Sequence, residues 1–260
     1  MSSCVKRPVF FPLFVGLMYL FMYVPIIVLI VFSFNSNAFS YEWHGGTLAW
    51  YCDLFNSIEV WEAVKNSLMV AVSSVSLSLL LGVLFVCFAS YFWITITLAS
   101  FYAILAVPEI VLAVGMLSFF SFAQVSLGMV TLITGHTLIG LGYVVPILYD
   151  RFAAIDAQLI EASYDLGASR MQTFFIVVLP LMMPALVSAG LLVFIVSMDD
   201  FVFSFFCTGP STQTLPLYIY SLIRSGATPM VNALSTLLLM ASSVIVSVYS
   251  LISIKRNDSL

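Results

Sequence analysis

Six long apolar runs, separated by more polar segments, dominate the pattern of this 260-residue chain. A helix needs about 20 apolar residues to cross the hydrocarbon core of a bilayer. On that criterion the pattern predicts six transmembrane helices, near residues 9–34, 66–92, 98–122, 127–149, 181–206 and 232–254. We therefore expect an all-α integral membrane protein with a single transmembrane domain over residues 1–260.

Three connections between the runs are long enough to have a structure of their own. Residues 35–65 are aromatic and acidic, and residues 150–180 carry charges of both signs. Residues 208–231 contain several prolines and glycines, including Pro216, and this composition predicts turns and short irregular backbone. The first run is too long for a secretory signal and is predicted to be an uncleaved first span.

Composition strengthens the membrane prediction and excludes several functions. Hydrophobic residues make up 62% of the chain and charged residues 8%, whereas soluble domains carry about 25% charged residues. The four cysteines show no metal-ligand spacing, and no phosphate-binding loop occurs. We expect no metal site, no cofactor and no catalytic site in this chain, which predicts that it is not an enzyme.

The distribution of basic residues predicts the orientation, because cytoplasmic loops are enriched in lysine and arginine. With both termini in the cytoplasm, six of the eight basic residues lie inside: Lys6, Arg7, Arg151, Arg170, Lys255 and Arg256. Lys65 and Arg224 then lie outside, together with the acidic 35–65 segment.

Three charged residues, all acidic, fall inside the predicted spans: Glu109, Asp199 and Asp200. A carboxylate at the bilayer centre costs roughly 2.5–3.5 kcal/mol, and such residues mark transport pathways by default. Carboxylates attract ammonium groups, so the pattern favours a cationic substrate. Pro108 is expected to bend the third span just before Glu109. Alternatively, Glu109 is a protonated acid that is hydrogen-bonded within the bundle.

The two adjacent aspartates are predicted to face different sides of the fifth span. At 100° per residue, Asp200 shares a stripe of small polar residues with Gly190, Ser197 and Ser204. That stripe lines a pathway or packs closely on another helix. Asp199 lies about 100° away from that stripe. Besides lining a pathway, it could cap an interrupted helix or pair with a neighbouring chain. His136 is interpreted as a hydrogen-bonding residue between helices.

The 150–180 segment predicts a helix that ends at Gly167, followed by a second amphipathic piece. Its stretch EASYDLGASRMQTFFIVVLP (161–180) resembles the EAA loop of ABC-importer permeases, with the pattern E-A-A, three residues, G, nine residues and I-x-L-P. The residues at the matching positions are Glu161, Ala162, Ser163, Gly167, Val177, Leu179 and Pro180, with Ser163 in place of alanine and Val177 in place of isoleucine. The resemblance implies a type I importer permease fold, in which this loop docks on an ATPase subunit. The alternative interpretation of residues 150–180 is a charged amphipathic loop that lies at the membrane surface.

Further stretches resemble the spermidine/putrescine permeases: FNSNAFSYEWHGGTLAWY (34–51), VPEIVLAVG (107–115), SMDDFVFSFFCTGPSTQTLPLYIYS (197–221) and VNALST (231–236). The resemblance implies an inner-membrane permease subunit for polyamines. It also implies a substrate pathway that includes Asp200, Asp199, Ser197, Glu109 and Trp50, although Trp50 is equally consistent with an ordinary interfacial aromatic residue.

The same resemblance implies the partners. They are a homologous second permease, two ATPase subunits that bind the ATP, and an extracytoplasmic binding protein. The alternatives are a permease for another small organic solute, a self-contained secondary transporter or cation channel, and a membrane scaffold that transports nothing.

Overall fold

The computed structural model describes residues 10–37, 42–88, 91–226, 229–240 and 243, and it is helical almost throughout these ranges. The helices are α1 (Phe10–Phe32), α2 (Ala49–Asn56), α3 (Ile58–Phe88), α4 (Tyr91–Ala106), α5 (Glu109–Phe122), α6 (Met129–Ala153), α7 (Ala157–Asp165), α8 (Arg170–Thr173), α9 (Leu179–Asp199), α10 (Val202–Cys207), α11 (Leu215–Ser225) and α12 (Pro229–Met240). A π-helical turn, Phe174–Val178, joins α8 to α9. An isolated bridge pairs Asn35 with Gly46.

Four of these helical segments are long and apolar enough to cross a membrane, and a bent pair gives a fifth. The four are Pro12–Phe32, Ile58–Cys87, Met129–Ala153 and Arg170–Asp199, and the pair is Thr97–Ala106 with Glu109–Phe122. The prediction of an all-helical membrane protein is confirmed. The last predicted span, 232–254, lies largely outside the described residues, so the count of six spans stays a prediction.

The third predicted span is broken at Pro108, where its two helices meet at 112°. Proline lacks the N–H that would continue the helix and restricts the residue before it. The bend predicted just before Glu109 is confirmed, and it is sharp enough to make α4 and α5 separate helices. Glu109 is the first residue of α5.

The fifth predicted span is also broken, which the prediction of one helix over 181–206 missed. Helix α9 ends at Asp199, and Asp200 has an extended backbone with φ −68° and ψ 121°. Helix α10 begins at Val202. Phe201 separates Asp200 from α10, and the Asp200 carboxylate accepts from the N–H groups of Phe203 and Ser204 in its first turn. The sequence Asp199-Asp200 therefore ends one helix and prepares the start of the next.

Two connections contain more helix than the sequence indicated. Residues 35–65 include α2 and the first turns of α3, and residues 208–231 include α11. Pro216, which was interpreted as a turn signal, is the second residue of α11. Proline is tolerated in the first turn of a helix because the N–H that it lacks has no partner there.

The chain divides into two compact units, one of Met1–Ile58 with Ile219–Leu260 and the other of Glu59–Tyr218. A single domain over 1–260 stays a prediction. In the Glu59–Tyr218 unit, glycines let three helices approach closely. A Cβ on Gly140 of α6 would meet both Ser78 of α3 and Val193 of α9. Small residues at such crossings allow close packing inside a membrane, and this packing fixes α6 between its neighbours.

Candidate transport pathway and coupling loop

A cavity of about 520 Å³ lies where the two broken spans meet α6. Its lining combines apolar side chains, one tyrosine and three carboxylates: Ile104, Leu105, Val107, Glu109, Leu112, Ile139, Tyr143, Ile195, Val196, Asp199, Asp200, Phe201 and Val202. The lining comes from both sides of the Pro108 break and both sides of the Asp200 break. Glu109 is thus brought to the same place as Asp199 and Asp200, which lie about 90 positions further along the sequence.

Glu109 and Asp199 are the exposed carboxylates of this cavity. Glu109 stands at the N-terminus of α5, where the helix dipole favours negative charge, and its carboxyl group interacts with that of Asp200. Asp199 stands at the C-terminus of α9, where backbone carbonyls concentrate further negative charge. In transporters the C-terminal ends of broken helices coordinate cations. The two breaks therefore create a negative region in an otherwise apolar wall.

Asp200 is buried, with 6% of its surface exposed, and its oxygens are occupied within the protein. Oδ1 accepts a hydrogen bond from Phe203 N–H at 3.2 Å and Oδ2 accepts one from Ser204 N–H at 2.9 Å. These bonds cap the first turn of α10. The capping alternative that the sequence offered for Asp199 thus belongs to Asp200, because α9 ends at Asp199 instead of continuing to residue 206.

Ser197 faces the protein interior and contacts His136. Its Oγ lies 2.8 Å from Nδ1 of His136, and the other ring nitrogen, Nε2, lies 3.3 Å from Oδ2 of Asp200. The small polar stripe therefore packs on neighbouring helices, with Ser197 on α6 and Gly190 on α3, which is one of the two interpretations that the sequence left open. The prediction that His136 bonds between helices is confirmed. Its pairing with Asp200, 64 positions away, was missed, because no local spacing connects the two residues.

Trp50 lies in the other compact unit, and its indole N–H donates a hydrogen bond to the backbone oxygen of Asn35 at 2.8 Å. The side-chain amide of Asn35 donates to the Glu42 carbonyl at 2.8 Å. These contacts fold the segment before α2 upon itself. The structure thus gives Trp50 a local partner, and its place in a substrate pathway stays a prediction.

The 150–180 segment forms the predicted helix–glycine–helix elbow, which we define as α7, Gly167 and α8. Asp156 caps the start of α7 by accepting from Gln158 N–H at 3.0 Å. At its end Gly167 has φ +85°. Gly167 N–H bonds to the Tyr164 carbonyl, and Ala168 N–H bonds to the Ser163 carbonyl. This is the Schellman arrangement that glycine favours, so the predicted helix end at Gly167 is confirmed.

The two arms of the elbow are joined, and its outer surface is apolar in part. Ser163 Oγ lies 2.7 Å from Thr173 Oγ1 across the elbow. Glu161 and Ala162 lie on α7 and are exposed, while Leu179 and Pro180 open α9. Leu166 is 89% exposed and Leu159 49%. Large exposed apolar side chains that gather in one place mark protein contacts, and only the helical spacing of these two leucines was visible in the sequence.

Metal ligands were not expected, and the described part of the chain has no group of three His, Cys, Asp or Glu side chains that could hold a metal ion. The cysteines in that part, Cys52, Cys87 and Cys207, are free thiols.

Comparison with solved structures identifies the fold. The chain superimposes with a TM-score of 0.70 on a chain of a bacterial ABC transporter that imports the acidic polysaccharide alginate, at 16% identity, covering 96% of this chain and 98% of the other. A second structure, of a bacterial alginate ABC transporter in complex with a periplasmic protein that holds an alginate pentasaccharide, gives a TM-score of 0.68 at 15% identity. The fold is that of an ABC-importer permease.

Curated relatives narrow the class, although no family model matches the chain. The spermidine/putrescine transport system permease protein PotC of Escherichia coli K12 is 39% identical over 243 residues, 92% of each chain. PotC of Haemophilus influenzae is 35% identical over 248 residues, 94% of this chain and 96% of the relative. The putrescine transport system permease protein PotI of Escherichia coli K12 is 32% identical over 240 residues, 86% and 84%. The chain belongs to the spermidine/putrescine permease family of ABC importers.

Proposed function

We propose that this chain is one of two homologous permease subunits of an ATP-driven polyamine importer in a bacterial inner membrane, and that Glu109 and Asp199 bind the ammonium groups of the passing substrate. The observation that carries the proposal is the meeting of these two exposed carboxylates at one cavity, where two spans are broken. Family membership supports spermidine and putrescine as the substrates, because the relatives are named for them.

The chemistry of the cavity fits an alkyl polyamine, which alternates ammonium groups with methylene chains. An ammonium group that leaves water needs a counter-charge or an aromatic face. Glu109 and Asp199 supply the first, and the ring of Tyr143 in the lining supplies the second. The apolar lining suits the methylene segments. All charged side chains of the described lining are acidic, which disfavours an anionic cargo.

The elbow is the proposed coupling element. Residues Glu161 to Gly167, with Leu166 exposed beside them, would dock on an ATPase subunit that binds the ATP. Leu179 and Pro180 would pass the motion into α9, whose far end carries Asp199. In this arrangement both termini face the cytoplasm. An extracytoplasmic binding protein delivers the substrate from the other side, and the chain itself needs no cofactor.

Uptake by the reconstituted complex tests the substrate and the carboxylates together. Proteoliposomes holding both permeases and the ATPase receive radiolabelled spermidine or putrescine on their binding protein. We expect Asp199→Asn and Glu109→Gln each to lower uptake by about tenfold or more, since one charge-assisted hydrogen bond contributes roughly 1.5–3 kcal/mol. Glu62→Gln, which changes an exposed acid on α3, is the matched control and should keep the wild-type rate.

Two results would contradict the proposal. An active complex that imports another solute but neither polyamine would refute the substrate. Wild-type uptake by both carboxylate variants would refute the pathway, while leaving the family assignment untouched.

A further inference from the structure

A buried polar chain connects four helices of the Glu59–Tyr218 unit at the Asp200 break. Ser74 of α3 donates to Ser197 of α9 at 3.5 Å, Ser197 contacts Nδ1 of His136 on α6 at 2.8 Å, and Nε2 of His136 faces Asp200 at 3.3 Å. Ser204 of α10 lies 3.4 Å from the same nitrogen. The side chains of His136 and Asp200 are each 1% exposed.

The direction of the hydrogen bonds follows from the groups involved. Both oxygens of Asp200 already accept hydrogen bonds from backbone N–H groups, so Nε2 carries the proton that points to Asp200. Nδ1 is then an acceptor, and the Ser197 hydroxyl donates to it. The Ser74 hydroxyl shares its proton between the Ala71 carbonyl, at 3.1 Å, and Ser197, at 3.5 Å. Each side chain of this network has a hydrogen-bond partner. A fully hydrogen-bonded buried network holds its helices in a single arrangement.

Outside the local turn, the Asp200 carboxylate interacts with the carboxyl group of Glu109 and contacts His136, which is its link to α6. The two other bonds, to the N–H groups of Phe203 and Ser204, are three and four residues away along the chain. On their own they cap α10 but leave Asp200 and α10 free to turn together about the break. The contact with α6 fixes the break to the wall of the cavity, where Asp199 is the adjoining residue.

We propose that His136 is a positioning residue for transport. It holds Asp200 so that α9 ends at Asp199 and presents that carboxylate to the cavity, while Asp200 itself is a structural cap rather than a substrate ligand. The proposal rests on the proposed function for its transport readout alone, since the geometry of the break is independent of which solute passes.

Two amide variants separate the two ring nitrogens. The side-chain nitrogen of glutamine reaches the place of Nε2, whereas that of asparagine reaches only the place of Nδ1. His136→Gln therefore keeps the contact with Asp200 and His136→Asn loses it. Thr137→Val is the matched control, because the hydroxyl of this neighbouring residue bonds within its own helix, to Ile133 O at 2.6 Å.

Hydrogen exchange of the whole complex in lipid nanodiscs measures the break directly. We expect the amides of Phe203 and Ser204 to exchange about tenfold faster in His136→Asn and within about threefold of wild type in His136→Gln, as the loss or retention of one hydrogen bond to a charged group implies. The amides of α7 should exchange at the wild-type rate in both His136 variants. In Thr137→Val the amides of Phe203 and Ser204 should also exchange at the wild-type rate. Equal exchange of these amides in all variants would overturn the proposal.

Polyamine uptake supplies the second readout. We expect about tenfold lower uptake for His136→Asn at an unchanged amount of assembled complex, with rescue in His136→Gln. The double variant with Asp200→Asn should transport no worse than Asp200→Asn alone, because both changes break the same contact. The positioning role of His136 would be overturned if the uptake losses of His136→Asn and Asp200→Asn multiplied in the double variant. It would also be overturned if His136→Gln took up polyamine as poorly as His136→Asn. A wild-type complex that takes up no polyamine refutes the proposed function instead, and the exchange measurement still decides the role of His136.

Discussion

The left-handed backbone at Gly167 makes the coupling elbow sensitive to a single methyl group. Gly167 has φ +85°, and a Cβ added there would meet nothing within 4 Å. The effect of Gly167→Ala is therefore conformational rather than steric. For an L-residue the left-handed region costs roughly 1–2 kcal/mol. Asparagine visits this region far more readily than alanine, so Gly167→Asn should have a smaller effect.

That strain should appear as weaker binding of the ATPase. A free elbow relieves the strain by giving up the bonds of Gly167 to Tyr164 and of Ala168 to Ser163. A docked elbow cannot do so. The difference, about 1–2 kcal/mol, corresponds to an affinity that is roughly 5–30-fold lower for Gly167→Ala.

The assay titrates purified ATPase subunit onto the permease pair in nanodiscs and measures the dissociation constant. Gly115→Ala is the matched control, because Gly115 lies inside α5 with open space around it and no left-handed backbone. Its affinity should equal that of wild type. Equal affinities for the wild-type and Gly167→Ala chains would refute the reasoning, and so would an asparagine variant that binds more weakly than alanine.

Two further predictions address orientation and packing. Exposed Cys52 should react with a membrane-impermeant maleimide in right-side-out vesicles, and Cys52→Ser should abolish this labelling; modification only from the cytoplasmic side would contradict the proposed topology. A Cβ on Gly209 would clash with the backbone carbonyl of Leu127. Gly209→Ala should therefore lower the free energy of unfolding of the purified complex by about 1–3 kcal/mol, as overpacking does elsewhere, and its melting temperature should fall. Stability equal to that of the Gly115→Ala control would show that these two loops do not touch.

Much of the fold follows from local signals in the sequence. Apolar length predicted the spans around α1, α3 and α6, and Pro108 predicted the bend before Glu109, because both depend on neighbouring residues alone. Gly167 predicted the end of α7 for the same reason. Helix α11 was missed because Pro216 indicates a turn and a helix start equally well, and only packing decides between them.

The site was predictable in its charges but not in its arrangement. Glu109, Asp199 and Asp200 were conspicuous as acids in apolar runs. Their division of roles depended on where α9 ends, and a shift of one residue exchanges the buried carboxylate for the exposed one. The pairing of His136 with Asp200 depends on the packing of α6 against α9, which no spacing along the chain encodes.

The bond between Arg151 Nε and the Leu181 carbonyl, at 2.9 Å, ties the last turn of α6 to the first turn of α9 on either side of the elbow. In the proposed importer these two helices, held together there and at His136, turn as one lever about the elbow end of α9. Helix α9 has 21 residues, so the arm from Leu179 to Asp199 is about 30 Å long at 1.5 Å per residue. In the proposed importer, a tilt of about 10° at the elbow would swing the Asp199 carboxylate by about 5 Å over that length. A swing of that size exceeds a hydrogen-bond length, so a small movement of the ATPases suffices to release a bound ammonium group.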